Sequence, residues 1–146
     1  MKKMLLTLFL LLSFHCSNSQ IQVSDSTAQL YLFLKEWWRV PYSWGGTTKK
    51  GVDCSAFVRE MYEELHDKKL PRTSREQYRF TDRIQKDELR TGDLVFFKRP
   101  DGVWHVGYYL FDSLFAHSSS RARGVSIGNL KDPHYSSTWF SQGRVK

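Results

Sequence analysis

The sequence predicts an α+β domain, because helical periodicity fills its first half and strand-forming runs fill its second half. Before residue 66, apolar side chains recur every three or four positions, as they do along one face of a helix. From residue 94 onward, short apolar and aromatic runs alternate with turn-forming residues, which is typical of antiparallel strands. Helices grouped before strands indicate an α+β arrangement. The length of 146 residues fits a single domain.

The first predicted helix spans residues 28–38 and follows capping residues at 24–27. Proline 41 ends this helix, since its ring cannot continue the hydrogen-bond ladder. The apolar side chains keep the i, i+3, i+4, i+7 spacing and therefore share one face: Leu30, Phe33, Leu34 and Trp37.

The second predicted helix follows Cys54, after a polar and turn-rich connection at residues 47–51. Its apolar face is formed by Phe57, Met61 and Leu65, which repeat every four residues. The glutamates of this segment lie elsewhere on the cylinder, so that the predicted helix is amphipathic.

Three strands are predicted in the second half, at residues 94–97, 104–110 and 114–118. A turn at residues 100–102 separates the first two, and a turn near Asp112 separates the last two. Residues 125–127 and the segment that ends at Val145 are predicted to add edge strands.

The N-terminus has the layout of a secretory signal peptide. Two lysines precede a short apolar run at residues 5–12, and residues 1–20 contain no acidic side chain. We therefore expect a signal peptide at 1–19, a short linker at 20–27 and the folded domain at 28–146. Cleavage before Gln20 is our preferred processing route. Lipidation of Cys16 is the alternative, although His15 is bulkier than the small residue usual before a lipidated cysteine.

The composition excludes several classes of protein. Apolar residues make up 40% and aromatic residues 15% of the chain, which excludes wholesale disorder. Two cysteines cannot build a disulfide framework, and no apolar run reaches the ~18 residues of a spanning helix. Loss of residues 1–19 changes the net charge from +7 to +5, with 20 Lys and Arg against 15 Asp and Glu. This charge favours anionic polymers or lipid headgroups. Export and the lack of a binding motif argue against nucleic acid.

Cys54 is the candidate nucleophile, because it becomes the only thiol of the exported chain and stands at the first turn of the second helix. Backbone N–H groups and the helix dipole favour negative charge there. Such a position predicts a thiol pKa lowered from ~8.5 to roughly 3.5–7.5. An inert buried thiol is the alternative. Asp53 is predicted to cap the helix.

Two histidines of the predicted strands are candidates for the base and its orienting partner. His105 shares a strand face with Gly107 and Tyr109, and His117 lies twelve residues further along. With an odd-length loop centred near Phe111, the two histidines would face each other on neighbouring strands. Zinc binding is a competing hypothesis for one cysteine and two histidines. The chain has no CxxC, HxxxH or HExxH motif, so we expect no metal and no cofactor.

Six short motifs occur in order along the chain and together resemble the NlpC/p60 family of cell-wall cysteine peptidases. Within that family they are similar to the small murein endopeptidases of Gram-negative lipoprotein type. The resemblance covers about residues 28–146. The motifs are Val40-Pro-Tyr-Ser-Trp-Gly-Gly46, Gly51-Val-Asp-Cys-Ser-Ala-Phe57, Leu70-Pro-Arg-Thr-Ser74 with Gln77, Leu89-Arg-Thr-Gly-Asp-Leu-Val-Phe-Phe97, His105-Val-Gly107 and Phe115-Ala-His-Ser118.

The resemblance implies a papain-like α+β core and a role for each matching residue. Cys54 would be the nucleophile, His105 the general base and His117 its orienting partner. Tyr42 matches a tyrosine that helps the oxyanion site, while Asp53 and Ser55 match positions that line the substrate cleft. The chain departs from the family at Ala56, where glycine is usual, and a methyl group should be tolerated in a helix. The order of cysteine before histidine resembles this branch and not the permuted members.

Two further features are open to two interpretations each. Arg72 is a candidate for holding a substrate carboxylate by a bidentate contact, and a solvated loop arginine is the alternative. Trp37, Trp38 and Trp44 are candidates for a sugar-stacking surface, and core packing is the alternative.

The function that the resemblance implies is that of an exported endopeptidase acting on peptidoglycan stem peptides or crosslinks, at bonds involving D-amino acids or diaminopimelate. We expect a monomer in the periplasm or cell envelope, with outer-membrane anchoring through Cys16 as the alternative. Two other functions stay open. One is an N-acetylmuramoyl-alanine amidase, including an antibacterial toxin. The other is a non-catalytic wall-binding module.

Overall fold

The computed structural model describes residues 24–146 as helices packed on an antiparallel sheet, so the α+β prediction is confirmed. The expected signal peptide, Gln20 and Cys16 lie outside the described residues. The helices are α1 (Asp25–Trp37), α2 (Cys54–His66), α3 (Ser74–Arg79) and α4 (Pro133–Thr138), with a 3₁₀ turn at Lys86–Glu88. The strands are β1 (Thr47–Thr48), β2 (Gly51–Val52), β3 (Thr81–Arg83), β4 (Leu94–Lys98), β5 (Trp104–Tyr109), β6 (Leu114–Ser119), β7 (Gly124–Asn129) and β8 (Trp139–Val145).

Six strands form one sheet in the order β3-β8-β4-β5-β6-β7, and every neighbouring pair is antiparallel. Strands β1 and β2 form a separate hairpin. The predicted edge position of residues 125–127 is confirmed, because β7 closes one side of the sheet. The prediction for the C-terminal strand was wrong, since β8 lies inside the sheet between β3 and β4.

The sheet carries a core on each face. Alternate residues of β4 point to opposite sides, and Leu94 and Phe96 pack with α1 and α2. Val95 and Phe97 pack on the other face with Tyr135 of α4. The predicted apolar faces of α1 and α2 point into the core, with Phe33, Trp37, Phe57 and Met61 at most 6% exposed. The remaining members of these faces are partly buried at its margin: Leu30, Leu34 and Leu65.

Two local predictions differ from the structure. Helix α1 begins at Asp25 and not at residue 28, because the Ser24 side chain accepts a hydrogen bond from the Thr27 N–H and caps the helix earlier. The β5–β6 turn is centred on Asp112, as the turn residues predict, since Tyr109 pairs with Phe115. The loop centred near Phe111, which would place the two histidines directly opposite each other, is wrong by one residue. Continuing this register puts His117 opposite Gly107, so that the two histidines are diagonal neighbours on one face.

Within residues 24–146, no helix has the length and apolarity required to cross a membrane.

Candidate active site

Cys54 is held at the start of α2 by the capping carboxylate of Asp53, as predicted. The Asp53 Oδ1 atom accepts hydrogen bonds from the Ala56 N–H at 2.8 Å and from the Ser55 hydroxyl at 3.1 Å. Ala56 is fully buried in the core, so its methyl group is accommodated. Only 8% of Cys54 is exposed, and the thiol is free.

The strands position the segment that leads into Cys54. The Ser118 hydroxyl of β6 donates a hydrogen bond to the Val52 carbonyl at 2.8 Å, which joins the sheet to the residue before Asp53. Tyr42 forms an isolated bridge with Val52, and its half-buried ring lines the same cavities as Cys54. Burial is the main cause that raises the Tyr42 pKa, followed by the proximity of Cys54 and Asp53.

The two predicted histidines are joined by a hydrogen bond. The Nε2 atom of His105 lies 2.7 Å from the Nδ1 atom of His117, and the Nε2 atom of His117 lies 3.3 Å from the Tyr135 hydroxyl. With the proton of His105 on Nε2 and that of His117 on Nε2, His105 donates to His117 and His117 donates to the Tyr135 hydroxyl. One tautomer of each ring thus accounts for both hydrogen bonds. In this arrangement Nδ1 of His105 carries no proton and can accept one from another group.

His105 and Cys54 come together at the beginning of β5. Both residues line one cavity, and the backbone N–H of Val106, next to His105, is near enough to the Cys54 sulfur to lower the Cys54 pKa. The thiol and the imidazole therefore share one end of the cleft, although Cys54 comes from the helical half of the chain and His105 from the stranded half.

The predicted lowering of the Cys54 pKa is wrong for this structure. Burial raises the Cys54 pKa to about 11 and outweighs the Val106 N–H, which lowers it. Burial, together with the nearby His134, lowers the His105 pKa to about 4. At neutral pH the two groups are accordingly a thiol and a neutral imidazole. Burial, followed by the nearby His105 and His134, also lowers the His117 pKa.

Arg72 is engaged by a protein carboxylate, so neither of the two interpretations of this residue holds as stated. Its guanidinium makes a bidentate pair with Asp53, with Nη2 to Oδ2 at 2.7 Å and Nη1 to Oδ1 at 3.1 Å. The Nη1 atom also donates to the Ser55 hydroxyl at 3.1 Å. Arg72 thus belongs to a polar cluster with Asp53 and Ser55.

Two cavities adjoin Cys54 and share a wall formed by Tyr42, Trp44 and Trp104. The His105-side cavity, of about 300 Å³, is also lined by His105, Tyr135 and residues of the β6–β7 loop. The Arg72-side cavity, of about 370 Å³, is also lined by the polar cluster of Asp53, Ser55 and Arg72. Cys54 therefore lies between two recesses, as a nucleophile must when substrate extends on both sides of the reacting bond.

The three tryptophans do not form one surface. Trp37 is buried and stacks on Phe33, with 5.7 Å between the ring centroids. Trp44 is 78% exposed on the wall of the two cavities, whereas Trp38 lines a different hollow beside Arg39. Core packing is therefore confirmed for Trp37, and only Trp44 lies at the cleft.

Helix α4 contributes Tyr135 and His134, which the sequence analysis missed. The Asp132 side chain accepts from the His134 N–H, and Pro133 occupies the first turn, so a capping pattern was present as a signal for the helix. That Tyr135 contacts His117 depends on tertiary packing and has no local signal. In the described part of the chain, no group of three or more His, Cys, Asp or Glu side chains forms a metal-binding cluster.

A cysteine at a helix N-terminus beside a histidine on an antiparallel sheet, with a polar side chain behind that histidine, is the arrangement of papain-like proteins. The fold and this site place the chain in the papain-like class. The family model described as "NlpC/P60 family" matches residues 39–144, and the chain belongs to that family.

Curated relatives are similar over most of this chain. A "Probable endopeptidase NlpC homolog" of Haemophilus influenzae is 39% identical over 128 residues, which cover 88% of this chain and 66% of the relative. The "Murein DD-endopeptidase MepS/Murein LD-carboxypeptidase" of Escherichia coli K12 is 37% identical over 110 residues, which cover 75% of this chain and 58% of the relative. The chain thus spans less than two thirds of the length of these relatives.

Solved structures show the same fold. An NlpC/P60 family protein from Bacillus cereus superposes with a TM-score of 0.72 at 31% identity, over 86% of this chain and 41% of that one. A lipoprotein-like NLP/P60 protein from Staphylococcus aureus gives a TM-score of 0.72 at 27% identity, over 88% of this chain and 44% of that one. The predicted NlpC-type fold is confirmed.

Proposed function

We propose that this protein is a cysteine endopeptidase that hydrolyses peptide bonds in peptidoglycan. The observation that carries the proposal is the position of Cys54 between two cavities, beside the hydrogen-bonded chain from His105 to Tyr135. The names of the relatives from Haemophilus influenzae and Escherichia coli support the same activity. We assign Cys54 as the nucleophile, His105 as the base and His117 as the residue that orients it.

The first half-reaction forms an acyl-enzyme. The Nδ1 atom of His105 takes the proton of the Cys54 thiol while the sulfur bonds to the carbonyl carbon of the substrate. The Cys54 N–H and the Tyr42 hydroxyl stabilise the oxyanion, and loss of one such donor typically costs about 10²–10³ in rate. The intermediate then collapses, the C–N bond breaks, and His105 gives its proton to the leaving amine.

The second half-reaction regenerates the thiol. His105 removes a proton from water, whose oxygen bonds to the thioester carbonyl carbon. The C–S bond breaks, Cys54 recovers its proton, and the product leaves with a new carboxyl group. Because burial raises the Cys54 pKa and lowers the His105 pKa, the mechanism includes transfer of the thiol proton to His105.

The polar cluster of Asp53, Ser55 and Arg72 supports binding of the acyl part of the substrate. All three residues line the Arg72-side cavity. The carboxylate and the guanidinium neutralise each other, so the cluster offers oriented hydrogen bonds and little net charge. It is suited to polar groups of a peptide backbone.

Export of this enzyme is part of the proposal and is supported by the pattern of residues 1–20. Removal of residues 1–19 would deliver the domain to the periplasm or cell envelope, where its substrate lies. Modification at Cys16 would instead anchor it to a membrane.

Digestion of purified sacculi, followed by mass spectrometry of the products, tests the proposed function. An endopeptidase leaves the first stem residue attached to the sugar and creates new termini within stems or crosslinks. Release of complete stems free of sugar would identify an amidase instead. Binding without new termini would identify a wall-binding module. The products should form at the same rate in the presence of a chelator, and strong inhibition would favour the zinc hypothesis.

A further inference from the structure

We propose that the His105-side cavity is a leaving-group subsite for an amino acid with a free carboxylate, and that Arg121 provides the charge that binds it. The inference rests on the proposed function and deepens it by naming the chemistry of the substrate on one side of the scissile bond. Arg121 lies just after β6, the strand that carries His117, and it lines this cavity.

The position of His105 identifies which cavity receives the leaving group. In the proposed reaction His105 must donate a proton to the departing amine, so that amine has to lie within hydrogen-bonding reach of the imidazole. His105 lines the cavity that contains Arg121 and does not line the Arg72-side cavity. The residue on the amine side therefore occupies the His105-side cavity, and the acyl part occupies the other.

The side chains that line the His105-side cavity carry an excess of positive charge. Two arginines and two histidines line it, and among the described residues no Asp or Glu does. Arg99 is paired with Asp101 at 2.7 Å, so its charge is partly neutralised. Arg121 has no ion-pair partner within residues 24–146. By contrast, the arginine of the other cavity is neutralised by Asp53.

The loop that carries Arg121 is attached to the opposite wall of the cleft. Gly124 forms a bridge with Pro41, and the Tyr42 N–H donates to the Arg123 carbonyl at 3.4 Å. These contacts hold the loop between β6 and β7 against the segment that carries Tyr42. Burial raises the Tyr135 pKa, and the nearby charge of Arg121 offsets part of that rise, so Arg121 lies close to the phenol.

The chemistry of this wall favours a carboxylate next to the leaving amine. A guanidinium binds a carboxylate through paired N–H donors, whereas a carboxamide offers one neutral acceptor and two donors that an arginine cannot satisfy. Aromatic side chains of Phe97 and Trp104 supply an apolar surface for the rest of the residue. The preferred leaving group is thus an α-amino acid whose own carboxyl group is neither amidated nor extended.

The test uses two synthetic peptides that carry the bond cut in the sacculus digest. They are identical except that the leaving residue ends in a carboxylate or a carboxamide. We expect wild-type kcat/KM to be about tenfold or more higher for the carboxylate, mainly through KM. Arg121→Ala should bring this ratio close to one. Arg121→Lys should retain part of it, because a lysine keeps the positive charge but lacks the paired N–H donors of a guanidinium.

Arg123→Ala is the matched control, since Arg123 is exposed on the same loop and its side chain does not line the cavity. It should keep the wild-type ratio, and melting temperatures verify that all variants fold. Equal wild-type kcat/KM for both peptides, or an unchanged ratio in Arg121→Ala, would overturn the inference and leave the proposed function intact. If the sacculus digest contains no cut bond, the proposed function has failed and the inference fails with it.

Discussion

Opposing effects act on the thiol of Cys54. Its place at the N-terminus of α2 and the Val106 N–H both favour the thiolate, whereas burial and the neighbouring Asp53 favour the thiol. Burial is the largest of these causes, and it raises the Cys54 pKa to about 11. Burial of His105 likewise favours the neutral imidazole. A resting ion pair is therefore not the state that this structure favours.

Alkylation of Cys54 tests this protonation state. Iodoacetamide reacts with the thiolate, so with a raised pKa the rate should be very low at pH 6 and rise about tenfold per pH unit up to about pH 10. A chain that starts at Gln20 lacks Cys16, so Cys54 is the only thiol that reacts. A fast, pH-independent rate between pH 5 and pH 7 that disappears in His105→Ala would establish the ion pair instead.

The chain from His105 through His117 to Tyr135 predicts graded losses of activity. His105→Ala removes general-base action, typically worth about 10²–10⁴-fold in rate. His117→Asn and His117→Gln can still accept a hydrogen bond from His105 and should retain measurable kcat, while His117→Ala should lose more. Tyr135→Phe removes the contact behind His117 and should cost less than His117→Ala. A lowered melting temperature for His117→Ala with undiminished activity per folded molecule would restrict the site to Cys54 and His105.

At the scale of elements, the site depends on how closely β5 and β6 approach each other. Gly107 lies on the histidine face of β5, where a Cβ atom would overlap the ring of Phe115 and lie 3.2 Å from the Ala116 carbonyl. The absence of a side chain at this position lets the Phe115 ring lie over β5 on this face of the sheet. The diagonal contact of His105 and His117 requires this approach.

Gly107→Ala should therefore destabilise the protein by about 1–3 kcal/mol through overpacking. Phe115→Leu makes room for the added methyl group, so the cost of Gly107→Ala should be smaller in that background. Urea unfolding of the wild type, both single variants and the double variant measures this coupling. Equal costs of Gly107→Ala in the two backgrounds would show that the Phe115 ring is not the obstacle.

The elements that could be predicted are those encoded by local pattern. Helices α1 and α2 and strands β4, β5 and β6 follow from periodicity and turn residues that lie next to one another in the sequence. The place of β8 inside the sheet could not be predicted, because its partners β3 and β4 are distant along the chain. The one-residue difference between a loop centred near Phe111 and the observed turn centred on Asp112 has the same origin, since register is decided by cross-strand packing.

For the candidate site, residue types and spacing made Cys54, His105 and His117 candidates, and the resemblance of the short, continuous motifs around them implied their roles. The partners of these residues were less predictable. The pairing of Arg72 with Asp53 and the contact of Tyr135 with His117 both join segments that only the tertiary fold brings together. The direction of the Cys54 pKa was wrong, since burial is not visible in a helix pattern.

At the scale of the whole molecule, the fold joins a helical half to a stranded half, and the site lies where they meet. The thiol comes from α2, the imidazole from β5, and the cavities on either side are walled by loops of both halves. Among the described residues, unpaired positive charge lines the His105-side cavity, whereas the charges of Arg72 and Asp53 neutralise each other in the other cavity, so the two sides of Cys54 differ in charge.

Hydrolysis of purified sacculi by the wild type, Cys54→Ala and Cys54→Ser tests the central claim most directly. The substitutions are small and Cys54 is a minor part of the core, so melting temperatures should stay near that of the wild type. The account predicts soluble peptide products from the wild type and none above background from either variant, because alanine has no nucleophile and a serine hydroxyl is far weaker than a thiol here. Wild-type turnover by Cys54→Ala would contradict it.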